Sequence, residues 1–111
     1  MFLPVDTLEE LLELLWMENR KGRLGVILFL AEWCRPCSKV SSVVDPFTRE
    51  YKDKVTFFKV DVDVNKSASK FFRIEAVPTF LFIRGGKVID SVVGADYEMF
   101  SKSFFINLKN T

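Results

Sequence analysis

The amino-acid sequence predicts an α/β fold: a single three-layer domain with a central mixed β-sheet flanked by four helices. Helical and strand-like segments alternate along most of the chain, which favours parallel strands joined by right-handed crossovers. One strand-like run is apolar throughout, as in a strand covered on both faces, and two later runs are joined by a Gly-Gly turn, which adds an antiparallel pair. The chain of 111 residues has the length of one domain, over residues 1–111.

The N-terminal elements are predicted from period and end signals. A helix is expected in VDTLEELLELLWMENRKG, residues 5–22, with Asp6 as its N-cap and Gly22 after its end. Its apolar side chains recur at helical spacing and predict a buried stripe of Leu8, Leu11, Leu12, Leu15 and Trp16. A short edge strand is expected at residues 2–5. The run LGVILFLA, residues 24–31, predicts a buried strand that ends just before the cysteines.

The remaining elements follow the cysteines. Residues 38–54 have a mixed helical pattern, and because Pro46 removes a helix hydrogen bond while Asp45 resembles an N-cap, this helix is predicted to kink or restart there. The alternation in VTFFKVDVDV predicts a strand over residues 55–64. The later elements are a short helix in residues 65–77, the strands TFLFIR and KVIDSVV around Gly85-Gly86, and a closing helix in residues 96–109 with Phe100, Phe104 and Leu108 inward.

Charge and hydropathy exclude several classes of partner. The 16 basic and 15 acidic residues are interspersed, so we expect binding neither to nucleic acid nor to a membrane surface. Acidic residues interrupt the N-terminal apolar stretch, which is therefore not expected to be a secretory signal. The apolar run at residues 24–31 is far shorter than the roughly 20 residues of a membrane-spanning helix. We expect a cytoplasmic protein.

Both cysteines of the chain lie in AEWCRPCSK, at Cys34 and Cys37, and three interpretations compete. A closed zinc site needs four ligands, and the chain has two cysteines and no histidine, although a dimer could pool four thiolates around zinc or an iron-sulfur cluster. A structural disulfide that closes so short a loop would contribute only roughly 2 kcal/mol. A reversible redox pair is the interpretation we favour.

The position of the pair supports redox chemistry. Cys34 stands where the buried strand passes into a helix, and a helix N-terminus stabilises a thiolate through free amide donors and its dipole. Cys34 is therefore the predicted nucleophile, and Cys37 is placed to attack the mixed disulfide that forms. Pro36 suits the first helical turn, where a missing amide hydrogen costs least.

The sequence resembles the thioredoxin family in AEWCRPC, VDVD, AVPTF and VVGA, which occur in that order. The resemblance covers essentially the whole chain and implies the thioredoxin fold and reduction of disulfides in other proteins. It also implies a monomer without a bound cofactor, and disulfide-containing client proteins as partners. Electrons would come from NADPH through a separate thioredoxin reductase or its equivalent.

The resemblance also implies roles for residues outside the cysteine pair. Pro78 matches the cis-proline of the family, and the backbone of Val77 would pair with an extended client segment. Trp33, Val77, Pro78 and Gly94 would form an apolar groove around Cys34. A redox-inert or redox-gated binding module that holds a partner in the same groove is the alternative function.

Three positions depart from the family pattern. Leu28 replaces a buried aspartate, Ser42 replaces a proline, and Arg35 stands where glycine is commonest, whereas Lys59 matches the usual lysine partner of the aspartate. The absence of the carboxylate and the presence of two positive charges, on Arg35 and Lys59, would both stabilise a thiolate. We therefore predict that the pKa of Cys34 is lower, and the redox potential less negative, than is typical of the family.

Replacement of the aspartate also leaves a proton without its usual acceptor. Either a water molecule or Glu32 would take the proton that the carboxylate would have carried. Asp61, Asp63 and Asn65 imitate the start of a calcium loop, but Lys66 replaces its turn glycine and Phe72 its closing glutamate, so no calcium site is expected.

Overall fold

The structure is a computed structural model that describes residues 1–109. It confirms the predicted fold class and the predicted order of elements. The elements in chain order are β1 (Leu3–Pro4), α1 (Leu8–Arg20), β2 (Leu24–Leu30), α2 (Arg35–Glu50), β3 (Val55–Asp61), α3 (Lys66–Phe71), β4 (Thr79–Arg84), β5 (Lys87–Val93) and α4 (Tyr97–Lys109).

The five strands form one mixed sheet in the order β1-β3-β2-β4-β5. β3 pairs in parallel with β1 and β2, whereas β4 pairs antiparallel with β2 and β5. The β4–β5 hairpin turns at Gly85 and Gly86, whose φ angles of 63° and 74° are those a primed two-residue turn requires. The strand that leads to the cysteines, β2, therefore lies at the centre of the sheet.

Two apolar layers cover the sheet. On one face, Val40 and Val44 of α2 and Phe100 and Phe104 of α4 pack against strand residues that include Leu28. On the other face, α1 and α3 contribute Leu11, Leu15 and Ala68. Because both faces of β2 are covered, the strand is apolar along its whole length.

Helix α1 differs from its prediction in two details. Its N-cap is Thr7, whose hydroxyl accepts a hydrogen bond from the Glu10 amide, so the assignment of Asp6 was wrong by one residue. Two members of the predicted buried stripe are exposed instead, Leu12 at 38% and Trp16 at 58%. The guanidinium of Arg20 lies 5.0 Å from the centre of the indole ring, so a cation–π contact covers it in place of the core.

Helix α2 continues without interruption through Pro46 to Glu50, and the prediction that it restarts there is wrong. Asp45 does not act as an N-cap; its side chain forms an ion pair with Arg49 one turn later. Thr48 donates a hydrogen bond of 2.6 Å to the Asp45 carbonyl. Packing of α2 on the sheet therefore outweighs the one hydrogen bond that proline removes.

Strand β3 ends at Asp61, three residues earlier than the predicted end. The Asp61 carboxylate accepts hydrogen bonds from the Asp63 and Val64 amides and turns the chain. Asn65 then caps α3 by accepting a hydrogen bond from the Ala68 amide, and donates one to the Val5 carbonyl. No helix within residues 1–109 is both long and apolar enough to span a membrane.

Candidate active site

Cys34 and Cys37 form a disulfide at the N-terminus of α2, beyond the carboxyl end of β2, with their Cα atoms 5.3 Å apart. Cys34 is the N-cap of the helix, and its Sγ accepts a hydrogen bond of 3.2 Å from the Cys37 amide. In the reduced protein the same amide and the helix dipole would stabilise negative charge on that sulfur. The two cysteines therefore differ in environment, although they share one bond.

The two cysteines are also buried to different extents. Cys34 is 6% exposed and Cys37 is 2% exposed, so the expected exposure of the first sulfur is small in the disulfide form. Both pack with Ala31, and Val77 lies against this cluster from the segment before β4. Cys34 is thus slightly the more exposed residue of the pair.

Pro78 and Gly94 adjoin this cluster. The Val77–Pro78 peptide bond is cis, and Pro78 is buried. The Gly94 amide donates a hydrogen bond of 2.8 Å to the Pro78 carbonyl, which holds the loop after β5 beside the proline. Gly94 has a φ of 103°, a conformation that other residues rarely adopt. The loop at Gly94 is thereby tied to the segment whose Val77 packs against the cysteines.

Trp33 forms the exposed side of the site. Its side chain is 70% exposed, and its indole nitrogen donates a hydrogen bond of 2.8 Å to a carboxylate oxygen of Asp63. Val93, next to Gly94, is exposed as well. Trp33 therefore presents an exposed apolar ring directly before Cys34, and the Asp63 carboxylate is its polar anchor.

A cavity of about 270 Å³, which we call the dithiol cavity, lies on the α2 side of the disulfide. Besides the apolar Leu30 and Ala31, its lining combines the two sulfur-bearing residues, the exposed Glu32 and three serines: Cys34, Cys37, Ser38, Ser41 and Ser42. The serines come from the first two turns of α2. The cavity therefore brings hydroxyl groups and a carboxylate to the back of the dithiol.

The two basic residues predicted at the site lie in different places. Arg35 is exposed at the first position of α2, directly after Cys34. Lys59 is exposed on β3 and does not line the dithiol cavity; with Asp45 and Arg49 it lines a neighbouring groove that meets that cavity at Ser41. Leu28, the register partner of Lys59 in the sheet, is completely buried in the apolar layer beneath α2 and α4. The structure brings Arg35, but not Lys59, next to the dithiol.

No metal site is evident in this region. Residues 1–109 contain no group of three or more His, Cys, Asp and Glu side chains placed to hold a metal ion. The residues that imitate a calcium loop are used otherwise: Asp61 turns the chain, Asp63 accepts the Trp33 hydrogen bond and Asn65 caps α3.

Sequence reasoning missed three features of the site. The Asp63 carboxylate holds Trp33, and its position two residues after a strand gives no sign of that contact. Val93 is exposed beside Gly94, and only its place next to that glycine could have indicated this. The serines of the dithiol cavity carry no motif, because their shared orientation depends on where α2 begins.

The fold and the paired cysteines together define a dithiol–disulfide oxidoreductase. The chain belongs to the thioredoxin family, since the family model described as Thioredoxin matches residues 16–104. It is 43% identical to Thioredoxin H4 of Arabidopsis thaliana over 80 residues, which cover 72% of this chain and 67% of that protein. The chain is therefore an oxidoreductase that acts on protein disulfides through a redox-active cysteine pair.

Solved structures agree with this assignment. A poplar thioredoxin h superposes with a TM-score of 0.90 at 29% identity, covering 97% of this chain and 96% of that one. The thioredoxin of Fasciola hepatica gives a TM-score of 0.89 at 33% identity, covering 95% of this chain and 98% of the other. None of these findings supports the alternative function as a redox-inert or redox-gated binding module.

Proposed function

We propose that Cys34 attacks the disulfide of a client protein and that Cys37 then resolves the mixed disulfide. The observation that carries this assignment is the hydrogen bond from the Cys37 amide to the Cys34 sulfur at the start of α2. Cys34 also has the greater exposure of the two. Arg35 adds a positive charge beside the nucleophile, and Pro36 occupies the first helical turn without costing an amide partner.

The client would bind in the groove formed by Trp33, Val77, Pro78 and Gly94. Trp33 offers a large apolar surface that is already oriented by Asp63, which lowers the entropy cost of binding. The half-buried Val77 lies against the cysteine cluster, so a client strand that pairs with its backbone would carry its disulfide to Cys34. Such backbone pairing tolerates many client sequences.

The protein needs a source of two electrons for each client disulfide. In this proposal it binds no cofactor of its own, and NADPH supplies the electrons through a separate thioredoxin reductase or its equivalent. It would act as a monomeric single domain over residues 1–111, in the cytoplasm, where thiols are kept reduced. It would bind neither nucleic acid nor a membrane.

Reduction of insulin tests this function. With a dithiol reductant present, the protein is expected to accelerate precipitation of the separated insulin chains. A module that only holds its partner would leave the rate at the background of the reductant, and that result would contradict the proposal. Replacing the dithiol by NADPH and a thioredoxin reductase in the same assay tests the electron source.

A further inference from the structure

Cys37 must lose a proton before it can resolve the mixed disulfide, because the thiolate and not the thiol is the attacking species. The surroundings of Cys37 leave few routes by which this proton can depart. The side chain is 2% exposed, and its cluster is closed on the protein side by Ala31, Leu30, Val62 and Val77. These side chains cannot accept a proton. The proton must therefore leave through the dithiol cavity.

The dithiol cavity has the chemistry of a proton route. Its volume of about 270 Å³ has room for several water molecules, at about 30 Å³ each. The hydroxyls of Ser38, Ser41 and Ser42 can each donate and accept hydrogen bonds to such water. Apart from the cysteines, Glu32 is the one titratable side chain among the described residues that lines the cavity. A chain of water held by the serines would thus end at a carboxylate.

Two features of this sequence make the cavity the available route. Leu28 fills the space beneath α2 with a completely buried apolar side chain, so it supplies no acceptor from below. Ser42, in the second turn of α2, adds a hydroxyl to the lining of the cavity.

We propose that Glu32 accepts the Cys37 proton through water held in the dithiol cavity. The proposal rests on the assignment of Cys37 as the resolving cysteine. The proton passes to the Glu32 carboxylate, and the Cys37 thiolate attacks the Cys34 sulfur. The Cys34–Cys37 bond forms with the two electrons of the attacking thiolate, while the bond from Cys34 to the client sulfur breaks and the client thiolate leaves. Glu32 then returns its proton to the departing thiolate or to water.

Other charged groups set the field in which this transfer occurs. On the elements around the dithiol they are Arg35 and Lys39 of α2, Lys59 and Asp61 of β3, Asp63 after β3, Glu75 before Pro78 and Asp96 before α4. Arg35 directly follows Cys34, but within residues 1–109 none of these side chains lines the dithiol cavity. Their contribution is also the same in a variant that alters only Glu32.

The experiment uses 5,5′-dithiobis(2-nitrobenzoate) as the disulfide probe in stopped-flow absorbance. The reduced protein releases one equivalent of nitrothiobenzoate when Cys34 attacks and a second when Cys37 resolves the adduct. Glu32→Gln is expected to slow the second phase by roughly 10-fold or more at pH 7 and to leave the first phase unchanged. The difference in second-phase rate between Glu32→Gln and wild type should decrease as pH rises, because hydroxide then removes the Cys37 proton directly. Glu50→Gln, at the C-terminal end of α2 and far from the dithiol, is the matched control and should match wild type in both phases.

Chemical rescue distinguishes proton transfer from a structural effect. In Glu32→Ala, added formate should restore the second phase in proportion to its concentration and should not alter the first. A second phase in Glu32→Gln with the wild-type rate and pH profile would overturn the proposal, as would equal slowing of both phases. Cys37→Ser should release one equivalent only; release of two would instead refute the assignment of Cys37 itself.

Discussion

The indole nitrogen of Trp33 donates a hydrogen bond of 2.8 Å to the carboxylate of Asp63, which lies 30 residues later in the chain. The turn that presents Asp63 is itself held by the Asp61 carboxylate, which accepts a hydrogen bond from the Asp63 amide. An exposed aromatic side chain beside the disulfide is thus fixed by its polar edge instead of by burial. Its apolar face remains available for a client.

We expect Asp63→Ala to weaken client binding more than chemistry. Without its acceptor, Trp33 samples several rotamers, and ordering it on binding costs entropy. The expected result is a rise in KM for a protein client of roughly threefold with little change in kcat, since an exposed hydrogen bond contributes modestly. Steady-state kinetics with insulin measure both constants.

The control for this prediction is Asp63→Asn, which keeps an acceptor oxygen and should give an intermediate KM. A Trp16→Phe background leaves Trp33 as the one tryptophan of the chain, so its fluorescence anisotropy reports its mobility. Anisotropy should fall in Asp63→Ala. An unchanged anisotropy together with an unchanged KM would show that packing, and not this hydrogen bond, orients the indole.

The two cysteines should fail in different ways when replaced. Cys34→Ser removes the nucleophile and is expected to reduce insulin reduction to the background rate. Cys37→Ser retains the attack but cannot resolve the adduct, so a covalent complex with the client should accumulate. Mass spectrometry of the complex under non-reducing conditions identifies the linked sulfur. Stable adducts through Cys37 in the Cys34→Ser protein would reverse the assigned roles.

Period and end signals were enough to predict the sheet, because each strand and helix of this chain has its own apolar pattern. The central strand β2 and the hairpin around Gly85-Gly86 were located from residue type alone. Helix α2 was mispredicted at Pro46, since the sequence shows the lost hydrogen bond but not the packing of Val44 and Phe47 that outweighs it.

The site was predictable where its residues are contiguous and not where they meet across the fold. The cysteine pair was predictable from the spacing of the two cysteines and from the strand before them. Asp63 and Lys59 show the limit of that reasoning, because both lie on or after β3 and only tertiary placement separates them. One accepts the Trp33 hydrogen bond, whereas the other lies in a groove with Asp45.

The different positions of Arg35 and Lys59 predict different effects on the pKa of the Cys34 thiol. Arg35→Gly removes a positive charge beside Cys34 and should raise the pKa of the Cys34 thiol modestly, because exposed charges are screened. Lys59→Met should change that pKa less, since Lys59 lies on β3 and does not line the dithiol cavity. Thiolate absorbance at 240 nm, titrated in the Cys37→Ser background, measures both.

Equilibration with glutathione completes that comparison. Stabilising the thiolate stabilises the reduced protein, so Arg35→Gly should also make the potential more negative. If Lys59→Met changes the pKa of the Cys34 thiol as much as Arg35→Gly does, the lysine acts on the dithiol despite its position. The ranking of the two charges would then be wrong.

A carboxylate at position 28 is expected to destabilise the folded protein. Its side chain is completely buried among the apolar residues beneath α2 and α4, and its antiparallel partner in the sheet is Phe80. A charged group placed there loses its hydration without gaining a partner from those neighbours. Burial therefore raises the pKa of a carboxyl introduced by Leu28→Asp, and Leu28→Asn provides the uncharged control of the same shape.

Urea unfolding of both variants from about pH 3 to pH 8 is expected to show a difference that grows with pH. Below about pH 3.9, the carboxyl is protonated in both the folded and the unfolded state, and Leu28→Asp should be about as stable as Leu28→Asn. As pH rises, the unfolded chain releases the proton first, so Leu28→Asp should lose about 1.4 kcal/mol per pH unit until the folded carboxyl also ionises. Lys59, the register partner of Leu28, is the one group that would change this outcome. A difference that stays flat, or that favours Leu28→Asp at neutral pH, would mean that the Lys59 ammonium turns inward to pair with the new carboxylate, and that the apolar layer at Leu28 is open to charge.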